Sequence, residues 1–162
     1  MNSFDVVVVG AGAVGTSVAY HLTKKGFEVA LVERGDIASG TSSHCDAVAL
    51  ICDKKPGIDT QMGYASIQVF KELAKEFSYD FEFHQPGSLY VCETDQEYEI
   101  AADYVKEQQA DGYAMRMVDP YEMQQMEPYL AKDLVGGIWT EPDSSMSPYK
   151  LCFAFVEEAK KL

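Results

Sequence analysis

Three glycines near the N-terminus have the spacing of a backbone turn that binds a diphosphate. The segment reads GxGxxG and consists of Gly10, Ala11, Gly12, Ala13, Val14 and Gly15. Gly10 permits a tight turn, Gly12 lets the backbone approach a pyrophosphate, and Gly15 lets a helix pack close to a strand. Amides and the dipole at a helix N-terminus can then hold phosphates without a lysine.

An acidic residue lies at the position from which such a unit binds the ribose of a dinucleotide. Glu33 follows Gly15 by eighteen positions and ends an apolar run. Its carboxylate can accept hydrogen bonds from both ribose hydroxyls and would repel a ribose 2′-phosphate, which favours FAD or NAD over NADP. The adjacent Arg34 works against that preference. A glycine-rich turn that binds nothing is the alternative interpretation of these residues.

The elements around the glycines have the order of a βαβ unit. The β-branched run Val6 to Val9 predicts a strand buried on both faces, as in the middle of a parallel sheet. Apolar residues recur at helical spacing from Ala13 to Lys25 and predict a helix. Gly26 can adopt the left-handed conformation that ends it. Val29 to Val32 is the second predicted strand, so the crossover should be right-handed.

After residue 78 the pattern changes from helical to alternating. Phe81 and Phe83 alternate with polar residues and, with the apolar run at 89–92, predict antiparallel strands. The other predicted elements are helices at 62–77, 94–111 and 119–126, strands at 113–118 and 134–139, and a helix that begins at Ser147-Pro148. No element is assigned to residues 47–52. Such a block packs as α+β rather than continuing a parallel sheet.

The composition excludes several classes of partner. Asp and Glu outnumber Lys and Arg by 26 to 13, for a formal net charge of −13, so nucleic acid and anionic membrane surfaces are not expected to bind. The four cysteines, at positions 45, 52, 92 and 152, form no CxxC pair, and no metal site is predicted. Reduced thiols and the absence of a signal or membrane-spanning run favour a cytoplasmic protein.

The segment after the second strand carries a more specific resemblance. It runs Glu33-Arg34-Gly35-Asp36-Ile37-Ala38-Ser39-Gly40-Thr41-Ser42-Ser43-His44. An ER-G loop followed by a GTSS turn resembles the FAD-dependent D-amino-acid oxidase superfamily, which includes glycine oxidase, sarcosine oxidases and amine dehydrogenase subunits. The resemblance implies FAD as cofactor, held by Glu33, Arg34, Gly40, Thr41, Ser42 and Ser43 in addition to the glycine turn. By composition alone, a flexible Ser/Gly loop is an equally good interpretation.

One histidine of this chain matches the position of a histidine that lies near the flavin in a member of that family. Ser42 to Asp46 resembles the SSHGD stretch of monomeric sarcosine oxidase, where the histidine and a following arginine lie near the flavin. His44 takes the histidine position, whereas Val48 stands in place of the arginine. An exposed loop histidine is the equally weighted alternative. No catalytic residue is predicted beyond this candidate.

The resemblance extends, with weaker motifs, over the rest of the chain. It implies a Rossmann-like FAD-binding parallel sheet at residues 1–78, an inserted α+β antiparallel segment of a substrate domain at 79–142, and a return to the FAD-binding domain at 143–162. It also implies that segments beyond these residues complete the flavin and substrate sites. The expectation is therefore the N-terminal part of a flavoenzyme that oxidises the C–N bond of an amino acid or secondary amine, inactive alone and prone to self-association. The alternative is a non-catalytic nucleotide-binding or assembly subunit that another chain completes.

Overall fold

The N-terminal residues form the expected βαβ unit. In the computed structural model, which describes residues 3–162, strand β1 spans Val6–Val9, helix α1 Ala13–Lys24 and strand β2 Val29–Val32. The two strands are parallel, with Val6 opposite Val29 and Val9 opposite Val32. Gly26 follows the helix with a φ of 89°, a left-handed conformation that glycine adopts without strain.

The prediction that β1 is buried on both faces is wrong. Val6 and Val8 are half-buried on the side of α1, whereas Val7 is 58% and Val9 83% exposed. Val32, opposite Val9 in the parallel register, is also exposed. A continuous β-branched run is typical of a strand covered on both faces, but within residues 3–162 only one face of this pair is covered.

Three later helices begin at the residues that their capping motifs predict. Thr94 and Glu97 form the reciprocal capping box of α3, and the Asp119 and Ser147 side chains cap α4 and α5, each followed by a proline. The elements after β2 are β3 (Val48–Ala49), α2 (Ile58–Glu76), β4 (Ser88–Cys92), α3 (Asp95–Ala110), β5 (Met115–Val118), α4 (Pro120–Met126), β6 (Gly136–Thr140), β7 (Ser144–Ser145) and α5 (Pro148–Ala159).

Two local predictions need correction. Helix α2 begins at Ile58, four residues before the predicted start. Phe81 and Phe83 do not lie in a strand, because Glu82 between them has a φ of 59° and breaks the extended backbone. Phe81 is instead buried beside Phe77, with their ring centroids 6.3 Å apart, so its apolar character reflects an aromatic core rather than sheet alternation.

The first of two compact units has an aromatic core. It comprises residues 3–47, 70–84 and 145–162. Tyr20 of α1 packs edge-on against Phe77 at 5.1 Å and tilted against Phe155 of α5 at 5.6 Å. Phe77 and Phe155 are themselves 5.5 Å apart. These rings hold α1 against α5 and so fix the position of the glycine turn at the start of α1.

The second unit is built on a three-stranded antiparallel sheet. It comprises residues 48–69 and 85–144, and its strands lie in the order β4, β6, β5. Helix α3 packs on one face and contributes Val105 to a core with Ile51, Ile67 and Ile138. The predicted domain boundaries after residues 78 and 142 stay predictions. In the structure, residues 48–69 group with the second unit rather than the first.

Candidate dinucleotide site

The turn between β1 and α1 requires glycine at two positions. Gly10 has a φ of 105°, and its N–H donates to the Val32 carbonyl of β2 at 2.7 Å. A Cβ on Gly15 would lie 1.9 Å from the Gly10 carbonyl oxygen, a backbone atom that cannot move aside. Helix and strand therefore approach each other at a distance that only glycine allows, which is the role the sequence pattern predicts for the third glycine.

The peptide groups on both sides of Ala11 are fixed by the loop after β2. The Ala11 N–H donates to Glu33 Oε2 at 2.8 Å, and the Ala11 carbonyl accepts from the Ala38 N–H at 2.9 Å. Ala38 is buried and has a φ of 63°, a left-handed conformation that costs an alanine about 1 kcal/mol. The structure maintains this strain next to the glycine turn, where the loop must reach back to Ala11.

Glu33 is held as a carboxylate by backbone donors. Besides the Ala11 N–H on Oε2, its Oε1 accepts the Gly35 N–H at 2.9 Å. The Ala11 amide and then the Gly35 amide lower the pKa of Glu33 below the usual value for a glutamate, because both stabilise the charged form. At neutral pH the group is therefore an anion whose remaining lone pairs can accept further hydrogen bonds.

The first helical amide is capped from a distant part of the chain. Gly12 is the N-cap residue of α1 and has no side chain to act as acceptor. The Ala13 N–H donates instead to Ser42 Oγ at 3.0 Å. Ser42 belongs to a single turn of 3₁₀ helix, Thr41–Ser43. The Gly12 N–H itself has no acceptor among residues 3–162, and Gly12 lines the adjoining cavity.

These features enclose one side of a cavity of about 620 Å³, a volume usual for a small-molecule site. It is lined by Val9, Gly10, Gly12, Val32, Glu33, Arg34, Ser39, Gly40, Thr41 and Ser42. Arg34 is its one cationic lining residue, and no carboxylate of the described chain lies within ion-pair distance of it. The Gly12 N–H, the Arg34 guanidinium and the space left by the missing side chain at Gly12 fit a diphosphate. The Glu33 carboxylate fits a ribose diol.

The structure brings most of the predicted cofactor residues to this cavity, but not all of them. Ala11 is buried behind the turn, Gly15 faces the strand, and Val14 is 79% exposed away from the lining. Ser43 donates to the Gly40 carbonyl, and His44 Nδ1 lies 2.8 Å from that same oxygen. The polar groups of Ser43 and His44 are thus engaged within their own turn, and neither residue lines the cavity.

Sequence reasoning missed Ser39 as a lining residue. It lies in the same small-residue loop as the predicted Thr41 and Ser42, so the available signal was its hydroxyl within that loop. The loop's return to Ala11 is set by contacts between distant residues, and no local pattern indicates which of its hydroxyls face the turn. Within residues 3–162 no helix has the length and apolarity to cross a membrane, and no cluster of three metal-ligating side chains occurs.

A comparison with known protein families assigns nearly the whole chain to one family. Residues 5–162 match the family model described as FAD dependent oxidoreductase, abbreviated DAO. The chain belongs to this family. The predicted resemblance to the D-amino-acid oxidase group is thereby confirmed over nearly the whole chain rather than over the N-terminal motifs alone.

Proteins similar to this chain match nearly all of its residues but are longer, so the chain spans less than half of their length. Human mitochondrial dimethylglycine dehydrogenase is 31% identical over 165 residues, which cover 97% of this chain and 18% of that protein. Glycine oxidase from Bacillus licheniformis is 30% identical over 171 residues, covering 98% of this chain and 43% of the oxidase. The crystal structure of L-proline dehydrogenase from P. horikoshii matches with a TM-score of 0.87 at 26% identity, covering 96% of this chain and 41% of that one. These matches confirm the predicted fold class.

Proposed function

We propose that this chain holds the ADP half of FAD in the cavity at the glycine turn. The observation that carries the proposal is the Gly12 N–H at the N-terminus of α1, which has no acceptor among residues 3–162 and shares one cavity with the Glu33 carboxylate. The first group is a donor for a diphosphate and the second an acceptor for a ribose, and they line one cavity. Membership of the DAO family supports FAD over NAD.

The remaining polar groups of the cavity complete the proposed contacts. Arg34 contributes a cation next to the diphosphate in a chain whose net charge is −13. Thr41 and Gly40 line the same side, so the hydroxyl and amides of this turn supply further donors. Ser43 adds no donor to the proposed contacts, because its hydroxyl and its N–H both donate to the Gly40 carbonyl.

We propose that the protein containing this dinucleotide site oxidises the C–N bond of an amino acid or secondary amine. FAD would accept the hydride equivalent from the carbon next to the amine nitrogen. This chain's own residues would bind and orient the nucleotide end. The relatives' names, dimethylglycine dehydrogenase, glycine oxidase and L-proline dehydrogenase, support an amine or amino-acid substrate without selecting one. A cytoplasmic location is part of the proposal and is supported by four free cysteines.

Titration with ADP and with FAD tests the proposed site directly. We expect both to bind, and we expect Gly12→Val to abolish binding, because a branched side chain would fill the space where the backbone meets the diphosphate. Its Cβ would already lie 3.0 Å from Ser42 Oγ. Ala110→Val is the control, since it also adds a branched side chain, but at an exposed position outside the cavity lining. Unchanged ADP affinity in a folded Gly12→Val variant would show that the diphosphate lies elsewhere.

The visible spectrum of the purified protein separates this proposal from its alternative. A nucleotide-binding or assembly subunit without redox chemistry would remain colourless after incubation with FAD and gel filtration. A chain that retains flavin absorbance, or that regains it when added FAD is supplied with a completing subunit, would support the flavoenzyme assignment.

A further inference from the structure

The cap on helix α1 is unusual in its origin. Serine side chains commonly accept an N–H of the first helical turn, but from the N-cap position itself. Here the N-cap is Gly12, and the acceptor on the Ala13 N–H is Ser42, 29 positions further along the chain. The glycine that leaves space for a diphosphate therefore also leaves the helix without a cap of its own, and Ser42 supplies it.

Ser42 Oγ occupies space directly over the glycine turn. A Cβ on Gly12 would lie 3.0 Å from this oxygen, and Ser42 also lines the cavity. The hydroxyl oxygen thus stands where an anionic oxygen bound to the Ala13 N–H would stand, since both need the same 3 Å approach to one donor.

The contact has the properties of one that a charged ligand can replace. A hydroxyl is a neutral acceptor, whereas hydrogen bonds from an amide to a phosphate oxygen are charge-assisted and roughly twice as strong. The helix dipole adds to that preference for negative charge. Ser42 is half-buried between two exposed residues of a single 3₁₀ turn and lines the cavity, so a ligand there can reach the hydrogen bond that its hydroxyl makes.

We propose that Ser42 is an exchangeable cap: its hydroxyl satisfies the Ala13 N–H while the site is empty, and a diphosphate oxygen takes over that N–H on binding. The inference rests on the proposed diphosphate site. Ser42 is then a residue that stabilises the ligand-free chain at the expense of affinity, because its hydrogen bond must be broken before the ligand's can form.

Removal of the hydroxyl should therefore change stability and affinity in opposite directions. We expect Ser42→Ala to lower the Tm of the ligand-free chain and to strengthen ADP binding about fivefold, the equivalent of one neutral hydrogen bond. At saturating ADP the Tm of the variant should equal that of the unmodified chain. Ser43→Ala is the matched control, because that hydroxyl bonds only Gly40 and His44 within its own turn. Ser42→Thr, which keeps the hydroxyl, should bind ADP like the unmodified chain.

The experiment is a titration of the ¹⁵N-labelled full chain with ADP, following the Ala13 amide. We expect this amide to shift in ligand-free Ser42→Ala and to reach the same position in both proteins when ADP is saturating. Weaker ADP binding by Ser42→Ala, or a Tm deficit that persists at saturating ADP, would show that Ser42 remains in place and would overturn the exchange. If neither the unmodified chain nor any variant binds ADP, the proposed function itself is wrong, and the exchangeable cap with it.

Discussion

At the scale of single residues, Glu33 does two things with one carboxylate. Its oxygens accept the N–H groups of Ala11 and Gly35, which hold the glycine turn and the loop together before any ligand is present. The same group is the proposed ribose acceptor. A substitution at this position therefore acts on the shape of the turn as well as on the ligand.

We expect Glu33→Gln to weaken ADP binding about tenfold and to reduce the preference against a 2′-phosphate. The amide has one acceptor oxygen, so it cannot replace both charged contacts. Glu28→Gln is the control, because it removes the same charge just before β2, away from the lining of the dinucleotide cavity. Calorimetric titration with ADP and NADP gives both affinities. Tighter binding of NADP than of FAD or NAD by the unmodified chain would contradict the assignment of Glu33 to the ribose.

Glu33 also makes the turn sensitive to acid. Its folded-state pKa lies below its ordinary value of 4.5, chiefly because of the Ala11 amide. The stability that its charge contributes is therefore complete above pH 4.5 and is lost as the pH falls through the lowered pKa of the folded chain. We expect ADP affinity to fall over the same acidic range in the unmodified chain and to be flatter in Glu33→Gln, as measured by titration at stepwise lower pH.

The residues of the glycine turn were predictable because each has a local reason. Gly10 is required by its positive φ and Gly15 by the Gly10 carbonyl five positions earlier, so both follow from the turn itself. The contacts of Ala38 with Ala11 and of Ser42 with Ala13 were not predictable. They join residues 27 and 29 positions apart, through a loop that has no periodicity to reveal its path.

At the scale of elements, the second unit is held together by a buried carboxylate. Asp143 is fully buried, and its two oxygens accept the Ile51 N–H at 2.6 Å and the Ser88 hydroxyl at 2.5 Å. It thereby ties the segment after β3 to the start of β4. Burial, together with this carboxylate, raises the pKa of the nearby Cys52 thiol to about 11, so the thiol is protonated at neutral pH.

Replacing Asp143 should destabilise this unit strongly. We expect Asp143→Ala to lower the free energy of unfolding by about 3 kcal/mol, because two buried donors lose their acceptor, and Asp143→Asn by less. The exposed Asp133 offers the control Asp133→Ala, which should change little. Trp139, the one tryptophan of the chain, lies in β6 and reports urea unfolding by fluorescence. An Asp143→Ala variant as stable as the control would show that these hydrogen bonds contribute nothing net.

Element boundaries followed the sequence where capping residues define them. The starts of α3, α4 and α5 agree with the Thr94, Asp119 and Ser147 caps. The prediction failed where tertiary packing overrides the local pattern, as at Phe81, which the aromatic core buries outside any strand. Helix α2 also starts earlier than its apolar face indicates, because its first turn is mostly polar and exposed.

At the scale of the whole molecule, the uncovered face of the parallel strand pair should cause the chain to self-associate in solution. Val7, Val9 and Val32 share that face, and both outer strand edges lack a partner strand within residues 3–162. Exposed apolar faces and open edges favour association. We expect light scattering on the purified chain to give more than one chain's mass, and Val7→Lys with Val9→Lys to reduce it. A monomer at high concentration would show that the exposed valine face does not cause self-association.

The aromatic core of the first unit has a consequence for the order of synthesis. Tyr20 leaves the ribosome before its partner Phe155 on α5, which lies 135 positions further along the chain. Residues 48–69 and 85–144, which form the second unit, have by contrast all been synthesised once Ser144 has been added. The glycine turn, although it is translated before the second unit, must therefore wait for α5 before α1 is packed, and the nascent chain can pack its antiparallel unit before its dinucleotide site.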